Sequence, residues 1–521
     1  MNTANRTHHW IIVGGGTAGW MAAAAFSAKL DASEHRITLI ESDAIGTVGV
    51  GEATVPHLRY FNQVLGIDER DFMRETQATY KLGIEFVDWG HVGDRYLHPF
   101  GVYGEPAHQV GFFQSWLKAR SLGDKAPLEA YAPGAVMARH ERFAYPGSSA
   151  HPFSRKYSYA FHIDASRYAR FLRRYAEARG VVRIEGKVSD VQRSSVTGDI
   201  QQLTLDSGER LWGDGFIDCS GFRAVLHGQT LGVGFENWSQ WLPCDRAVAI
   251  PSASQSAPRP YTRAIAHAAG WRWQIPLQHR TGNGVVYCSE HMSADQATRK
   301  LLESMDGEPL AEPNHLQFTT GVRSKSWSHN SVAIGLSAGF LEPLESTSIY
   351  LIQSAIMNFL ECLPRGEENA VEALRNEFNR RMALEYERVR DFLILHYTLT
   401  TRDDSAFWHR MRTLERPHSL ERKIALFREQ GQVEHYELGM FLEPSWLAVY
   451  EGQGLLPERW HPAADRAAEG ALLASLRRFR EETARWVDTL PGHDHCLTQL
   501  GMEADEAPWP PAAMSLYGVF S

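Results

Sequence analysis

The stretch "HWIIVGGGTAGWMAAAAFSAKL" at residues 9–30, followed by "RITLIES" at 36–42, constrains this chain more than any other. An apolar run, a glycine cluster, an alanine-rich segment and a second β-branched run spell strand, tight turn, helix, strand. Gly14, Gly16 and Gly19 stand in G-x-G-x-x-G spacing. Glycine is needed there because the chain turns sharply, a pyrophosphate must approach the backbone, and the helix must press on the strand. The helix opening at Thr17 and Ala18 directs its free N–H groups at that phosphate. Glu41 closes the second strand, 22 residues past Gly19, where a carboxylate can accept from a ribose hydroxyl. The unit predicts an α/β protein that holds an adenine dinucleotide.

Later segments favour FAD over NAD. "DASRYARFLRRYAEARG" (164–180) reads as a helix, and "VVRIEGKVSDVQR", "IQQLTLDSG" and "RLWGDGFIDCSG" read as alternating strands whose last apolar run ends in glycine. Such an excursion brings a strand back to the nucleotide sheet. "SVAIGLSAGFLEPLE" (331–345) reads as a further buried strand, a glycine turn and a helix start that faces the flavin or its phosphates. Beyond residue 349 the periodicity is helical, in "IYLIQSAIMNFLECL" and "ENAVEALRNEFNRRMALEYERVRDFLILHY". The expected organisation is an FAD-binding domain over 1–349, with an inserted substrate-side segment at about 95–155, and a mostly helical lobe over 350–521.

Composition excludes several classes. A net charge of -9 gives no attraction for phosphate backbones, so a small molecule is the expected partner rather than nucleic acid. No apolar stretch reaches membrane-spanning length, and the N-terminus lacks a basic, cleavable leader. The five cysteines are dispersed and odd in number, which fits a reducing compartment, the cytoplasm. "HDHC" at 493–496 has too few partners for a zinc site, and no metal is expected.

Four segments go beyond a general FAD fold: "GVGEATVP" (49–56), "TYKLGIEFVDW" (79–89), "GWRWQIP" (270–276) and "FLEPLESTSIY" (340–350). With them the sequence resembles the flavin-dependent halogenases of the tryptophan halogenase family over nearly its whole length. The resemblance implies a Rossmann-like FAD domain of the single-component flavin monooxygenase type, with β-sheet insertions and a helical substrate-side lobe. It implies that FADH2, oxygen and chloride or bromide yield hypohalous acid, which crosses an internal tunnel to an aromatic substrate. Reduced flavin would come by diffusion from a separate flavin reductase, since no NAD(P)H module follows the FAD unit. The resemblance also allows a homodimer.

By motif, Lys81 is the family's lysine at the substrate end of the tunnel, acting either as a hydrogen-bond donor to hypohalous acid or as an amine that becomes a haloamine. The second route needs burial to lower an amine pKa of roughly 10.4. Glu345 corresponds to the carboxylate that stabilises the cationic ring intermediate and accepts its proton, with Ser346 orienting it. Halide is expected on the backbone N–H groups of Thr347 and Ser348, the latter standing where the family commonly has glycine. Val48, Gly49, Gly51, Glu52 and Ala53 fall on the loop that straps the flavin, and Leu336 and Ile349 are expected beside it. Trp271, Trp273, Ile275 and Pro276 form the W-x-W-x-I-P signature of the tunnel. Without the motif, Trp271 and Trp273 read as core residues of a half-buried strand.

His98 and Phe100 match the pair that sandwiches an indole ring. Tryptophan-specific members clamp the amino-acid end with a Tyr-Tyr pair, then Glu, then Phe-Trp. Here Glu437 and Phe441 match, but Leu442 replaces the tryptophan and the tyrosine pair has no counterpart. Each lost charge-assisted bond costs roughly 1.5–3 kcal/mol, so an indole-like aromatic is expected in preference to free tryptophan. The competing readings are a tryptophan halogenase proper, an aromatic hydroxylase and a non-catalytic flavin-binding protein; "WRWQIP", Lys81 and Glu345 weigh against the last two.

Overall fold

The computed structural model describes residues 7–44, 51–106, 110–363, 368–436 and 439–500. The glycine-rich βαβ unit forms as the sequence predicts. Strand His8–Val13 pairs in parallel with His35–Glu41 on one side and Gly215–Asp218 on the other. Ser331–Ala333 and Val182–Glu185 extend the sheet in parallel, and Trp327–Ser328 adds a short antiparallel edge. The excursion after residue 180 thus returns to the nucleotide sheet, as an FAD fold requires.

This sheet is covered on both faces, which is why its strands are near-continuous apolar runs. On one face lies helix Thr17–Lys29, whose Ala22 to Ala25 are at most 1% exposed. Their single methyl groups let sheet and neighbouring helices close on it. The other face packs Ile11, Val13 and Phe216 against Ile200, Leu203 and Leu205 of a small antiparallel sheet. "VVRIEGKVSDVQR" divides into Val182–Glu185 and Val188–Arg193, the first in the nucleotide sheet and the second in this cover. The break falls at Gly186–Lys187.

A seven-stranded sheet forms the second layer, with Gly270–Pro276 between Thr262–His267 and Thr281–Tyr287. All its pairings are antiparallel except that of Thr262–His267 with Gly83–Val87. Opposite Trp273 stands Gly284, where a Cβ would lie 2.0 Å from the indole; only bare backbone accommodates that ring. Between the two layers a three-stranded sheet sets Gly51–Ala53 and Thr79–Lys81 on either side of Ala160–Asp164. Lys81 stands opposite Ala160, and Glu52 opposite Ile163.

Helix Thr347–Glu361 leads into the 31-residue helix Glu368–Thr398 and then a succession of shorter helices. The expected division at residue 349 falls inside the first of these helices. Among the described residues no helix is long and apolar enough to cross a membrane.

Gly19 sits one helical turn past the glycine cluster, where a Cβ would lie 1.8 Å from the Gly14 carbonyl oxygen. Overpacking of this kind costs about 1–3 kcal/mol, and here the strain falls on the turn itself. Gly19→Val is expected to lower the melting temperature by several degrees and to reduce the further stabilisation given by added FAD, both measurable in thermal melts with and without flavin.

Candidate active site

The glycine turn opens onto a cavity of about 630 Å³, within the range of cofactor pockets. Of the residues expected at the flavin, Gly14, Gly16, Thr17, Ala18, Glu41, Gly51, Glu52, Ala53, Leu336 and Ile349 all line it. Gly19 lies beneath the turn instead, and Val48 and Gly49 lie outside the described residues. The lining fits a flavin dinucleotide. Gly16 caps helix Thr17–Lys29 without a side-chain bond, and a Cβ added to it would meet nothing within 4 Å, so the first-turn N–H groups face open space suited to a phosphate.

Glu41 enters the site already paired. Its Oε1 accepts from Arg183 Nε at 2.5 Å and Arg173 Nη1 at 3.3 Å, and its Oε2 from Trp20 Nε1 at 3.2 Å. These contacts fix the carboxylate at the cavity edge. Burial pushes Glu52 up to about 7.

Two segments separate this cavity from a second cluster, each presenting one face to either side. In the first, Gly51, Glu52 and Ala53 line the cavity, while the next residue, Thr54, turns its carbonyl to Lys81. In the second, Leu344, Ser348 and Ile349 line the cavity, while Ser346 turns its hydroxyl to Lys81. The Lys81 Nζ donates to Thr54 O at 2.9 Å and Ser346 Oγ at 2.8 Å, fully buried. Burial lowers its pKa from 10.5 to about 7, against the opposing pull of Glu345. Ser346 adopts the left-handed conformation at φ 61°, which turns the chain abruptly into helix Thr347–Glu361. The Thr347 hydroxyl in that first turn is buried and has no hydrogen-bond partner among the described residues.

Glu345 is 1% exposed. His98 Nδ1 lies 2.9 and 3.0 Å from its two oxygens, and His396 Nε2 lies 2.8 Å from Oε1. Burial pushes the carboxyl up, but His98 and His396 outweigh it and hold Glu345 down at about 2. His396 carries no motif: it occupies an apolar helical run, "DFLILHYT", where a histidine usually fills core. Nothing in the sequence marks it.

The chain has relatives among known proteins. The tryptophan halogenase family model matches residues 9–469. Tryptophan 6-halogenase SttH of Streptomyces toxytricini is 36% identical over 527 residues, covering 96% of this chain and 99% of that protein. Among solved structures, BrvH, a flavin-dependent halogenase from Brevundimonas sp. BAL3, has a TM-score of 0.91 at 45% identity, covering 95% of this chain and 99% of its own. Xcc4156, a flavin-dependent halogenase from Xanthomonas campestris, has a TM-score of 0.91 at 45% identity, covering 97% and 100%. The chain belongs to the tryptophan halogenase family.

It is accordingly a flavin-dependent halogenase, a class of enzyme that uses FADH2 and halide. In this halogenase Trp271, Trp273 and Ile275 line the cavity at the glycine turn, and Trp271 Nε1 donates to Glu342 at 2.9 Å. The strand face that carries them is buried, while Arg272 and Pro276 on the opposite face are only partly so, as the alternation predicts. Pro276 does something else: its carbonyl accepts from the Thr79 hydroxyl at 2.7 Å, tying this strand to the one that carries Lys81.

His98 and Phe100 are neighbours whose rings meet edge-on, 6.4 Å apart at 73°. The cause is that both ring nitrogens of His98 are engaged, Nδ1 by Glu345 and Nε2 by Ser445 Oγ at 2.8 Å. Phe441 lies 6.3 Å from His98 and stacks at 3.9 Å on Phe392, a wall not foreseen from the sequence. Glu437 lies outside the described residues. Elsewhere, Cys288, Glu290 and His291 bring donor atoms within 4.8 Å of one another, but Glu290 is already neutralised by Arg410 at 2.9 Å.

The lowered amine makes a stability prediction. Between pH 7 and 10.5 the unfolded chain carries a proton on Lys81 that the folded chain sheds, so this residue makes stability rise with pH across that window. Lys81→Met removes the dependence. The stability of the variant relative to wild type is expected to be greatest near pH 7 and to shrink steadily towards pH 10, as read from urea melts. A difference independent of pH would show that the amine is not desolvated.

Proposed function

We propose that this enzyme halogenates an electron-rich aromatic, indole or an indole-like compound, in preference to free tryptophan, with a separate flavin reductase supplying FADH2. The single observation that carries the mechanism is the fully buried Lys81 amine, fixed between Thr54 O and Ser346 Oγ on the far side of two segments that wall the flavin cavity. Bound reduced flavin, with oxygen, supplies the oxidising equivalents that turn halide into hypohalous acid. Everything else belongs to the chain.

Thr347 and Ser348 hold the halide in this reading. They open a helix whose macrodipole favours an anion, and the buried Thr347 hydroxyl has a hydrogen bond to give. Trp271, Trp273 and Ile275 keep a ring-sized molecule away from the flavin and leave passage to a smaller one. Lys81 then holds the electrophilic halogen. Its lone pair takes the halogen as the oxygen–halogen bond of hypohalous acid breaks, and one N–H proton leaves with the hydroxide as water, while the remaining N–H stays hydrogen-bonded between Thr54 O and Ser346 Oγ. His98, Phe100 and Phe441 contribute the aromatic walls for the substrate. Glu345, ionised at neutral pH, stabilises the positive charge of the ring intermediate and removes its proton.

The preference for indole rests on Leu442 and the missing tyrosine pair, which leave an amino-acid ammonium and carboxylate short of partners. A tryptophan halogenase proper is the second reading, favoured by the relatives: SttH is a tryptophan 6-halogenase and RebH of Lentzea aerocolonigenes a tryptophan 7-halogenase. Purified enzyme with FAD, an NADH-driven flavin reductase, oxygen and bromide or chloride, offered indole or L-tryptophan, decides between them by mass spectrometry. Halogenated indole is expected at the higher kcat/KM. Far better conversion of L-tryptophan would overturn the substrate reading, and hydroxylated product the reaction itself. Lys81→Ala and Glu345→Gln are each expected to lower halogenation by about 100-fold or more, general-base contributions alone running to 10²–10⁴.

A further inference from the structure

We infer that Thr262 is a cofactor-selecting residue: Thr79 and His162 hold its hydroxyl hydrogen away from the flavin cavity, so that it offers the cofactor only an acceptor and favours FADH2 over FAD. The inference rests on FADH2 as the working cofactor and gives a role to two residues, His162 and Thr262, that no motif marks.

Thr79 Oγ1 lies 2.7 Å from the Pro276 carbonyl oxygen and 2.8 Å from His162 Nδ1. A carbonyl only accepts, so the single hydroxyl hydrogen of Thr79 goes to Pro276. His162 Nδ1 then supplies the hydrogen of the second bond. The ring is fully buried, and burial first and Lys81 second hold its pKa well below the ordinary imidazole range. A neutral imidazole with its hydrogen on Nδ1 has a bare lone pair at Nε2, which accepts from the Thr262 hydroxyl 3.0 Å away. That bond uses the one hydrogen Thr262 has. Its oxygen keeps a lone pair and nothing to donate.

Thr262 lines the cavity at the glycine turn. The other side chains that the seven-stranded sheet brings to that lining are Ala247, Trp271, Trp273, Ile275, Val286 and Leu316. An indole N–H only donates and the rest are apolar, so Thr262 is the one side-chain acceptor on this wall among the described residues. The oxidised flavin ring has bare nitrogens where the reduced ring carries N–H. An oxygen without a hydrogen to give bonds the N–H and repels the bare nitrogen. In an enzyme supplied with FADH2 by diffusion, as proposed above, that discrimination keeps FAD from occupying the cavity.

Equilibrium binding of FAD and, without oxygen, of FADH2 tests this. Wild type is expected to bind FADH2 the more tightly. In Thr262→Val the ratio of the Kd for FAD to that for FADH2 is expected to fall about fivefold, the size of one neutral hydrogen bond. The midpoint potential of the bound flavin becomes more negative with it, and Thr262→Ser restores both values. His162→Leu releases the Thr262 hydrogen and is expected to narrow the preference by tightening FAD. Thr262→Ala replaces the valine variant should that one fail to fold. A relay that only ties the sheets together would change thermal stability and leave the ratio of constants and the potential untouched. That result, or FAD bound by wild type as tightly as FADH2, overturns the inference, while halogenation by the wild type, read by mass spectrometry, stands.

Discussion

The buried amine of Lys81 is the contact on which the functional architecture turns. A lysine with no exposed surface gives up hydration that only hydrogen-bond acceptors can replace, and two are provided, Thr54 O and Ser346 Oγ. Those acceptors sit on two segments far apart in sequence, 51–54 and 344–349, whose neighbouring residues wall the flavin cavity. The lysine thereby pins both walls to its own strand. Position 81 can fill this role because Thr79–Lys81 and Gly51–Ala53 share Ala160–Asp164 as a common neighbour. Cofactor side and lysine side are thus two faces of one piece of backbone.

In the proposed mechanism that arrangement answers a chemical hazard. Hypohalous acid attacks tryptophan, tyrosine and methionine, and the molecule is rich in buried aromatics. In that mechanism the segments 51–54 and 344–349 stand between the cofactor and the lysine, which keeps that path short. Pro276 links the tryptophan strand to Thr79, so the strand whose tryptophans line the cavity is bonded to the strand that carries Lys81.

The sequence revealed the parts of this scheme that depend on local pattern. The glycine turn, the returning strand at Gly215–Asp218 and the long helices follow from periodicity and from the absence of side chains at positions 14, 16 and 19. Lys81, Glu345 and Trp271 were legible only because they sit in short motifs; alone, each is an ordinary lysine, acid or core aromatic. What stayed hidden depends on long-range packing. His396 is 51 residues from Glu345 in sequence and lies in a run that any buried helix could contain. The edge-on approach of His98 to Phe100 follows from bonds to Glu345 and Ser445, 247 and 347 residues away, which no spacing rule encodes.

The pair Glu342 and Glu345 shows why residue type alone could not assign chemistry. They stand three apart in "EPLE", both buried to within 1% exposure. Consecutive residues of one helix hold them: Tyr397 donates to Glu342 at 2.6 Å, and His396 meets Glu345. Glu342 has only neutral donors, Tyr397 and Trp271, and burial pushes it up to about 7; Glu345 meets two imidazoles and is held down at about 2. Opposite environments therefore divide two identical side chains into roles, as with other paired catalytic carboxyls. Glu342 holds Trp271 at the cavity lining without a full negative charge beside it. In the proposed mechanism Glu345 keeps its charge for the cationic ring intermediate. The neighbours Tyr397 and His396 on that helix thus stand beside the two glutamates that differ most.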